Sequence, residues 1–235
     1  MKTASPEALL EQGLRRLNLP GDASARERLI RFGELVLDAN RSTNLTGAKD
    51  LAELVTRHLL DSLAPLGKVR LEDPVVDLGS GAGFPGLPAA ILFPTHRFIL
   101  LEPRRKRAEF LRSAIERLGL SNVLVDQSSA GAAAQGALKN GAGTIMMRAV
   151  ANPAESLRIA LPMVRRGGIL LLYEGRAARV TPEAAEVARG LQATIQIRPV
   201  EVPFLEAERH IWIVRKKHVS PVKRQHFRPR RRRST

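Results

Sequence analysis

The chain has 235 residues, enough to bury a sizeable core as one domain with an appended segment or as two small ones, and its 44% hydrophobic and 26% charged content is ordinary for a globular protein. It has no cysteine, which excludes a disulfide scaffold, thiolate catalysis and cysteine-ligated zinc or iron–sulfur centres; no apolar run approaches membrane-spanning length or a signal-peptide core, so a cytoplasmic location is expected. The net charge of +15 is uneven, because residues 215–235 hold ten Lys or Arg and no acid, and the expected partner of that tail is a polyanion, nucleic acid ahead of membrane.

Residues 1–70 read as a helical extension. Ser5-Pro6-Glu7 supplies an N-cap, a first-turn proline and an early acid, followed by Leu9, Leu10, Leu14 and Leu17 at helical spacing, and Leu19-Pro20-Gly21 ends the element. Ser24-x-x-Glu27 has the pattern of a capping box for a second helix carrying Leu29, Ile30, Leu35, Val36 and Leu37. The polar stretch 40–47 predicts a loop, and Asp50-x-x-Glu53 opens a third helix in which Arg57 and Asp61 lie one turn apart on one face, beside His58. The five histidines are scattered without metal-site spacing, so no metal is expected.

Residues 75–86, VVDLGSGAGFPG, are a buried strand running into a glycine-rich turn that lets a ligand approach the backbone. Gly81-x-Gly83-x-x-Gly86 satisfies the dinucleotide fingerprint, yet Asp77 would face entering phosphates and Pro85 removes a helix-start donor. Both features suit the zwitterionic sulfonium of S-adenosylmethionine better than a pyrophosphate.

Beyond the loop, a helix is expected over 88–93, a strand over 97–101 with Glu102 at its end, and a basic amphipathic helix over 104–118. Glu102 stands where doubly wound sites place the carboxylate that binds ribose hydroxyls, and it could equally cap the next helix. Arg104, Arg105, Lys106 and Arg107 oppose that helix's dipole, which leaves an anionic partner or a plainly solvated face as explanations. A strand over 122–126 precedes small residues 128–136, where backbone could wrap an adenine. A strand over 144–147 ends at Arg148, Asn152-Pro153 caps a helix, the Gly167-Gly168 turn leads into a strand over 169–173, and Thr181-Pro182-Glu183 opens a last helix. Strands over 193–202 and 209–214 close an antiparallel sheet edge. The alternation predicts an α/β fold with a mostly parallel sheet over 71–217, and a disordered basic tail over 218–235.

NLTG at 44–47, RHLLDSL at 57–63, DLGSGAGFPGLP at 77–88, KRAEFL at 106–111, RAVA at 148–151 and ERHIWIVRKK at 208–217 together resemble the small-subunit ribosomal RNA methyltransferase G family, also called glucose-inhibited division protein B. The resemblance implies a Rossmann-like class I methyltransferase with a seven-stranded sheet, using S-adenosylmethionine to methylate guanine N7, at position 527 in the 530 loop of 16S ribosomal RNA. The substrate would be that RNA, the small subunit or an assembly intermediate, and the enzyme a monomer. Cofactor positions then fall on Asp77, Gly79, Gly81, Gly83, Phe84, Glu102, Ala130, Gly131 and Arg148; Asn44, Arg57, His58, Asp61 and Arg148 are candidates near the target base. RNA contacts fall on Arg104, Arg105, Lys106, Arg215, Lys216, Lys217, Lys223, Arg224, Arg228, Arg230, Arg231, Arg232 and Arg233. The chain departs from the family at Ser128-Ser129-Ala130-Gly131, which lacks an acid, at Gly143 in place of aspartate, and at Glu174 in place of lysine. The Gly143 and Glu174 departures suggest, as another reading, a ribosome-associated RNA-binding protein without transfer activity; an NAD-dependent oxidoreductase is a third.

Overall fold

A computed structural model describes residues 4–148, 152–175 and 179–218. A seven-stranded sheet runs in the order β3-β2-β1-β4-β5-β7-β6, with β1 Val75–Leu78, β2 Phe98–Leu101, β3 Val123–Asp126, β4 Ala142–Arg148, β5 Val164–Glu174, β6 Ala193–Pro199 and β7 His210–Lys216. β1 to β5 pair in parallel, and β7 pairs antiparallel with both β5 and β6. The order reverses between β1 and β4, so the crevice for a ligand opens beyond the C-terminal ends of those two strands.

The inner strands are largely apolar because both faces are covered, with Asp77 in β1 and Thr144 in β4 as buried polar exceptions. One face carries α1 Pro6–Arg16, α2 Ala23–Thr43, α5 Gly86–Leu92 and α6 Arg105–Leu118, whose Leu10, Phe32, Leu87 and Leu111 share a core with Val75, Leu100, Met146 and Leu171. The other carries α7 Ala130–Gln135, α8 Pro153–Ala160 and α9 Pro182–Gly190, packed on Val76, Ile145, Leu170 and Trp212. Neighbouring strand residues go to opposite cores, as the two-residue period requires.

Several local expectations need correcting. The second helix is capped by Asp22, whose carboxylate accepts from Ala25 N at 2.7 Å, so the Ser24 pattern lies inside the helix. That helix continues to Thr43 and ends on Asn44 in the left-handed region, φ 50°, so the first half of the polar stretch is helical and the loop runs on to the Asp50 cap of the next helix. The third helix is not one regular helix: α3 Leu51–Leu54 passes into a π-helical turn Val55–Leu59, then α4 Leu60–Leu63 and a 3₁₀ turn Ala64–Lys68. The wider turn breaks the one-face pairing of Arg57 with Asp61. Arg57 meets Glu53 at 3.2 Å instead, while Asp61 turns inward. Residues 130–135 are helical, not open loop, because Ser129 caps them. Gly167 and Gly168 lie within β5, at a register shift against β4.

Candidate functional site

The turn after β1 holds three glycines at positive φ, Gly79 at 76°, Gly81 at 56° and Gly83 at 95°, a backbone path that residues with a Cβ rarely take. It is tied to the end of β2: Gly79 N donates to Leu101 O at 2.9 Å, and Gly81 N to Glu102 Oε2 at 2.8 Å. The second Glu102 oxygen accepts from Arg104 N at 2.9 Å. Two of the four lone-pair directions of this carboxylate are thereby used, and two remain to accept a pair of hydroxyls. The Gly81 amide, already bonded to a carboxylate, is not free to donate to a pyrophosphate.

A cavity of about 500 Å³ opens over this turn, walled by Gly79, Gly81, Phe84, Glu102, Arg104 and Arg148, and on the helical side by Leu45 and His58. Phe84 sits between Phe32 of α2, at 5.1 Å between centroids, and the His58 ring, at 5.2 Å. His58 Nε2 lies 2.9 Å from the Thr46 hydroxyl; burial, followed by the nearby Arg148 charge, pulls its pKa below the usual imidazole value, so the ring is neutral near pH 7. Asn40 holds the wall in place: its Oδ1 accepts from Leu45 N at 2.6 Å and Thr46 N at 2.9 Å, and its Nδ2 donates to Thr46 O at 2.9 Å.

Arg148 separates this cavity from a second of about 230 Å³, bordered by Asp61, Tyr173, Glu174, Arg209 and His210. Asp61, 5% exposed, accepts from Arg148 at 2.6 Å through one oxygen and from Arg209 Nε at 2.8 Å through the other. Arg148 also donates to Ser62 Oγ at 3.2 Å, and the Tyr173 hydroxyl donates to Ser62 O at 3.0 Å. Burial raises the Glu174 carboxyl above its usual range.

Some expected site residues stand elsewhere. Asp77 is 1% exposed and lies behind the loop, outside the cavity wall: its Oδ2 accepts from Gly86 N at 3.0 Å, and its Oδ1 is buried with no hydrogen-bond partner among the described residues. Burial pushes this carboxyl up to about 7. Gly83 faces Leu87, Leu111 and Phe32, and Gly86 is needed because a Cβ there would run into Leu100 and Asp77. Ala130 and Gly131 begin α7 and do not border the cavity; Asn44 and Arg57 are exposed beside it. Arg105 pairs with Glu109 at 3.5 Å, and Lys106 borders a separate groove between α2 and α6. Arg215, Lys216 and Lys217 lie at the opposite end of the sheet, because β7 runs antiparallel and only His210 reaches the cavity end. Lys223, Arg224, Arg228 and Arg230 to Arg233 lie outside the described residues.

Conversely, Leu45, Arg107 and Arg209 border the cavities although sequence patterns gave no separate reason to place them there. Leu45 and Arg209 were marked only by membership of the NLTG and ERHIWIVRKK segments, and Arg107 by KRAEFL and by the basic cluster at the start of its helix. Gly143 has a packing explanation, since a side chain would collide with the carbonyl oxygens of Glu72 and Asp73. Among the described residues no cluster of His, Asp or Glu could hold a metal ion, and no helix is long and apolar enough to cross a membrane.

Among solved structures, a methyltransferase from Pyrococcus furiosus matches with a TM-score of 0.54 at 19% identity, covering 82% of this chain and 99% of that one. The precorrin-6y C5,15-methyltransferase of Geobacter metallireducens matches at 0.50 and 15% identity, covering 75% and 96%. Both show the Rossmann-like methyltransferase fold. In sequence, the ribosomal RNA small subunit methyltransferase G of Methylococcus capsulatus is 37% identical over 203 residues, 86% of this chain and 95% of its own. The Stenotrophomonas maltophilia protein of the same name is 39% identical over 210 residues, 88% and 94%. The family model described as rRNA small subunit methyltransferase G matches residues 25–212, which takes in the glycine turn, both cavities and the Asp61 pairings. The chain belongs to the rRNA small subunit methyltransferase G family.

Proposed function

We propose that this protein transfers a methyl group from S-adenosylmethionine to N7 of a guanine in the 530 loop of 16S ribosomal RNA, acting as a cytoplasmic monomer on the small subunit or an assembly intermediate. What supports it above all is family membership together with an intact glycine turn and a Glu102 carboxylate offering two free acceptor positions to a ribose. When bound, S-adenosylmethionine supplies an electrophilic sulfonium methyl. Glu102 would hold its ribose hydroxyls, the Gly79 and Gly81 backbone would lie against it, and Arg148 would meet either its carboxylate or the substrate. Guanine N7 carries a lone pair and no proton, so the residues need only orient the base and exclude water, with no general base. A neutral His58 against Phe84 fits that requirement, being a flat, partly apolar wall that takes up no proton near pH 7.

Arg104 and Arg107 at the cavity mouth would meet RNA phosphates, and the tail would add contacts that raise affinity without selecting the base. Deleting residues 219–235 is expected to weaken RNA binding at moderate salt and leave cofactor binding intact. Gly143, required by packing, gives no support to a fold that has lost transfer. The test is to incubate the protein with small subunits and labelled S-adenosylmethionine, then map the labelled nucleotide. A single N7-methylguanine in the 530 loop is expected; RNA binding with no label, or label on another atom, would overturn the proposal.

A further inference from the structure

The loop between β6 and β7 contains a turn whose tip goes against two ordinary preferences at once. Leu205 N donates to Val202 O at 3.2 Å, so Pro203 and Phe204 are the central residues of the turn, and Phe204 has φ 65°. Proline followed by a positive φ is the pattern of a type II turn, whose third position normally takes glycine or asparagine. Four other non-glycine residues among those described have positive φ, three asparagines and a glutamine; a bulky ring there is an outlier. Phe204 is also 37% exposed, the one aromatic among the large hydrophobic side chains that reach solvent in the described residues. Backbone strain and exposure in one side chain point to use of the ring by something outside the fold.

The Arg16 guanidinium, from the end of α1, lies over this ring at 4.6 Å from its centroid, within cation–π range. Arg16 and Pro203 border a cavity of about 380 Å³, which continues into one of about 460 Å³ and from there into the cavity that holds Asp61. Val200 borders all three, Lys68 and Glu201 the first two, and Arg209 and His210 the last two. A chain leaving the Asp61 cavity thus has a continuous groove leading to Phe204. Glu201 and Glu208 offset the charge of Lys68 and Arg209 along it, so a ligand there is gripped by contact more than by phosphate attraction. We infer that Phe204, backed by Arg16, is a stacking platform for an unpaired RNA base a few nucleotides from the methylated guanine. The inference rests on the proposal that RNA is the substrate. Unpaired bases stack on aromatic rings and guanidinium planes whatever their sequence, because every base has a π-face. A ring serving only to pin the turn to α1 would instead contribute stability and leave RNA binding alone.

The test compares wild type with Phe204→Gly, which suits the left-handed backbone, and with Phe204→Trp, which keeps an aromatic face; each is titrated with protein-free 16S RNA and with small subunits. Phe204→Gly is expected to bind both roughly ten-fold more weakly. Its salt dependence should match wild type, since no phosphate contact is removed, and its S-adenosylmethionine Kd should not change. Phe204→Trp should bind close to wild type. Unchanged RNA affinity in Phe204→Gly would overturn the inference, as would a loss that Phe204→Trp shares in full. A loss seen with small subunits but not with free RNA would also overturn it, pointing to a ribosomal protein as the partner. If wild-type protein binds these RNAs and methylates neither, the proposed function fails while the Phe204 comparison still decides the platform.

Discussion

Asp77 sits beneath the ligand loop with one oxygen bonded to Gly86 N and the other buried with no partner among the described residues. Its carboxyl is raised from 3.8 to about 7, so the folded chain keeps a proton that the unfolded chain releases. Stability from this group is therefore present below pH ~4 and declines as pH rises toward 7, by up to about 4 kcal/mol. Asp77→Asn keeps an acceptor for Gly86 N and removes the charge; urea titrations from pH 4 to 8 should show a flatter profile, and a profile as steep as wild type would rule out Asp77 as its cause. Asp61 presents the reverse case, one buried carboxylate shared by Arg148 and Arg209. Asp61→Ala leaves two guanidiniums facing each other and should cost roughly 2–4 kcal/mol, somewhat below the fully buried figure because both arginines reach solvent. Thermal melting would register that loss.

His58 of the irregular segment 51–68 and Leu45 of the loop after α2 make the helical wall of the larger cavity. Its position depends on one side chain, Asn40, which satisfies two amides and a carbonyl of residues 45 and 46. Asn40→Ala removes all three bonds and should cost about 2 kcal/mol or more. Because Leu45 and the Thr46–His58 contact move with that loop, cofactor Kd should rise several-fold; an unchanged Kd by calorimetry would show that the wall plays no part in binding. Gly86→Ala tests the packing behind the glycine turn. A Cβ there meets Asp77 and Leu100 where helix and strand are closest, and overpacking of this kind typically costs 1–3 kcal/mol, or about that much here.

Across the whole molecule the helical extension and the sheet share one apolar core, with Leu10 and Phe32 packed in the same cluster as Leu87, Leu100 and Met146. The change near residue 70 is thus a change of architecture over a shared core, and we propose that the two parts unfold together. Calorimetry should show one transition, and Phe32→Ala, at a fully buried position touching Phe84, should lower stability by about 3–5 kcal/mol. Two separate transitions would contradict a shared core. The charge is divided by the same architecture, with Arg104 and Arg107 at the cavity end and Arg166 and Lys217 at the other.

Sequence alone determined the elements whose cause is local. The glycine turn is visible because positive φ demands glycine, Glu102 because it follows a strand of the right spacing, and the Ser5, Asp50, Asn152 and Thr181 caps because each side chain serves an amide a few residues on. Local patterns could not show that Asp61 answers Arg148 and Arg209, 87 and 148 residues away. Nor could they show that Asp77 supports the loop from behind, or that Lys216 is used up on backbone carbonyls at the far end. Those outcomes depend on how strands are ordered and directed. A side chain's partner across the sheet is set by packing and topology, and neither leaves a mark in the residues next to it.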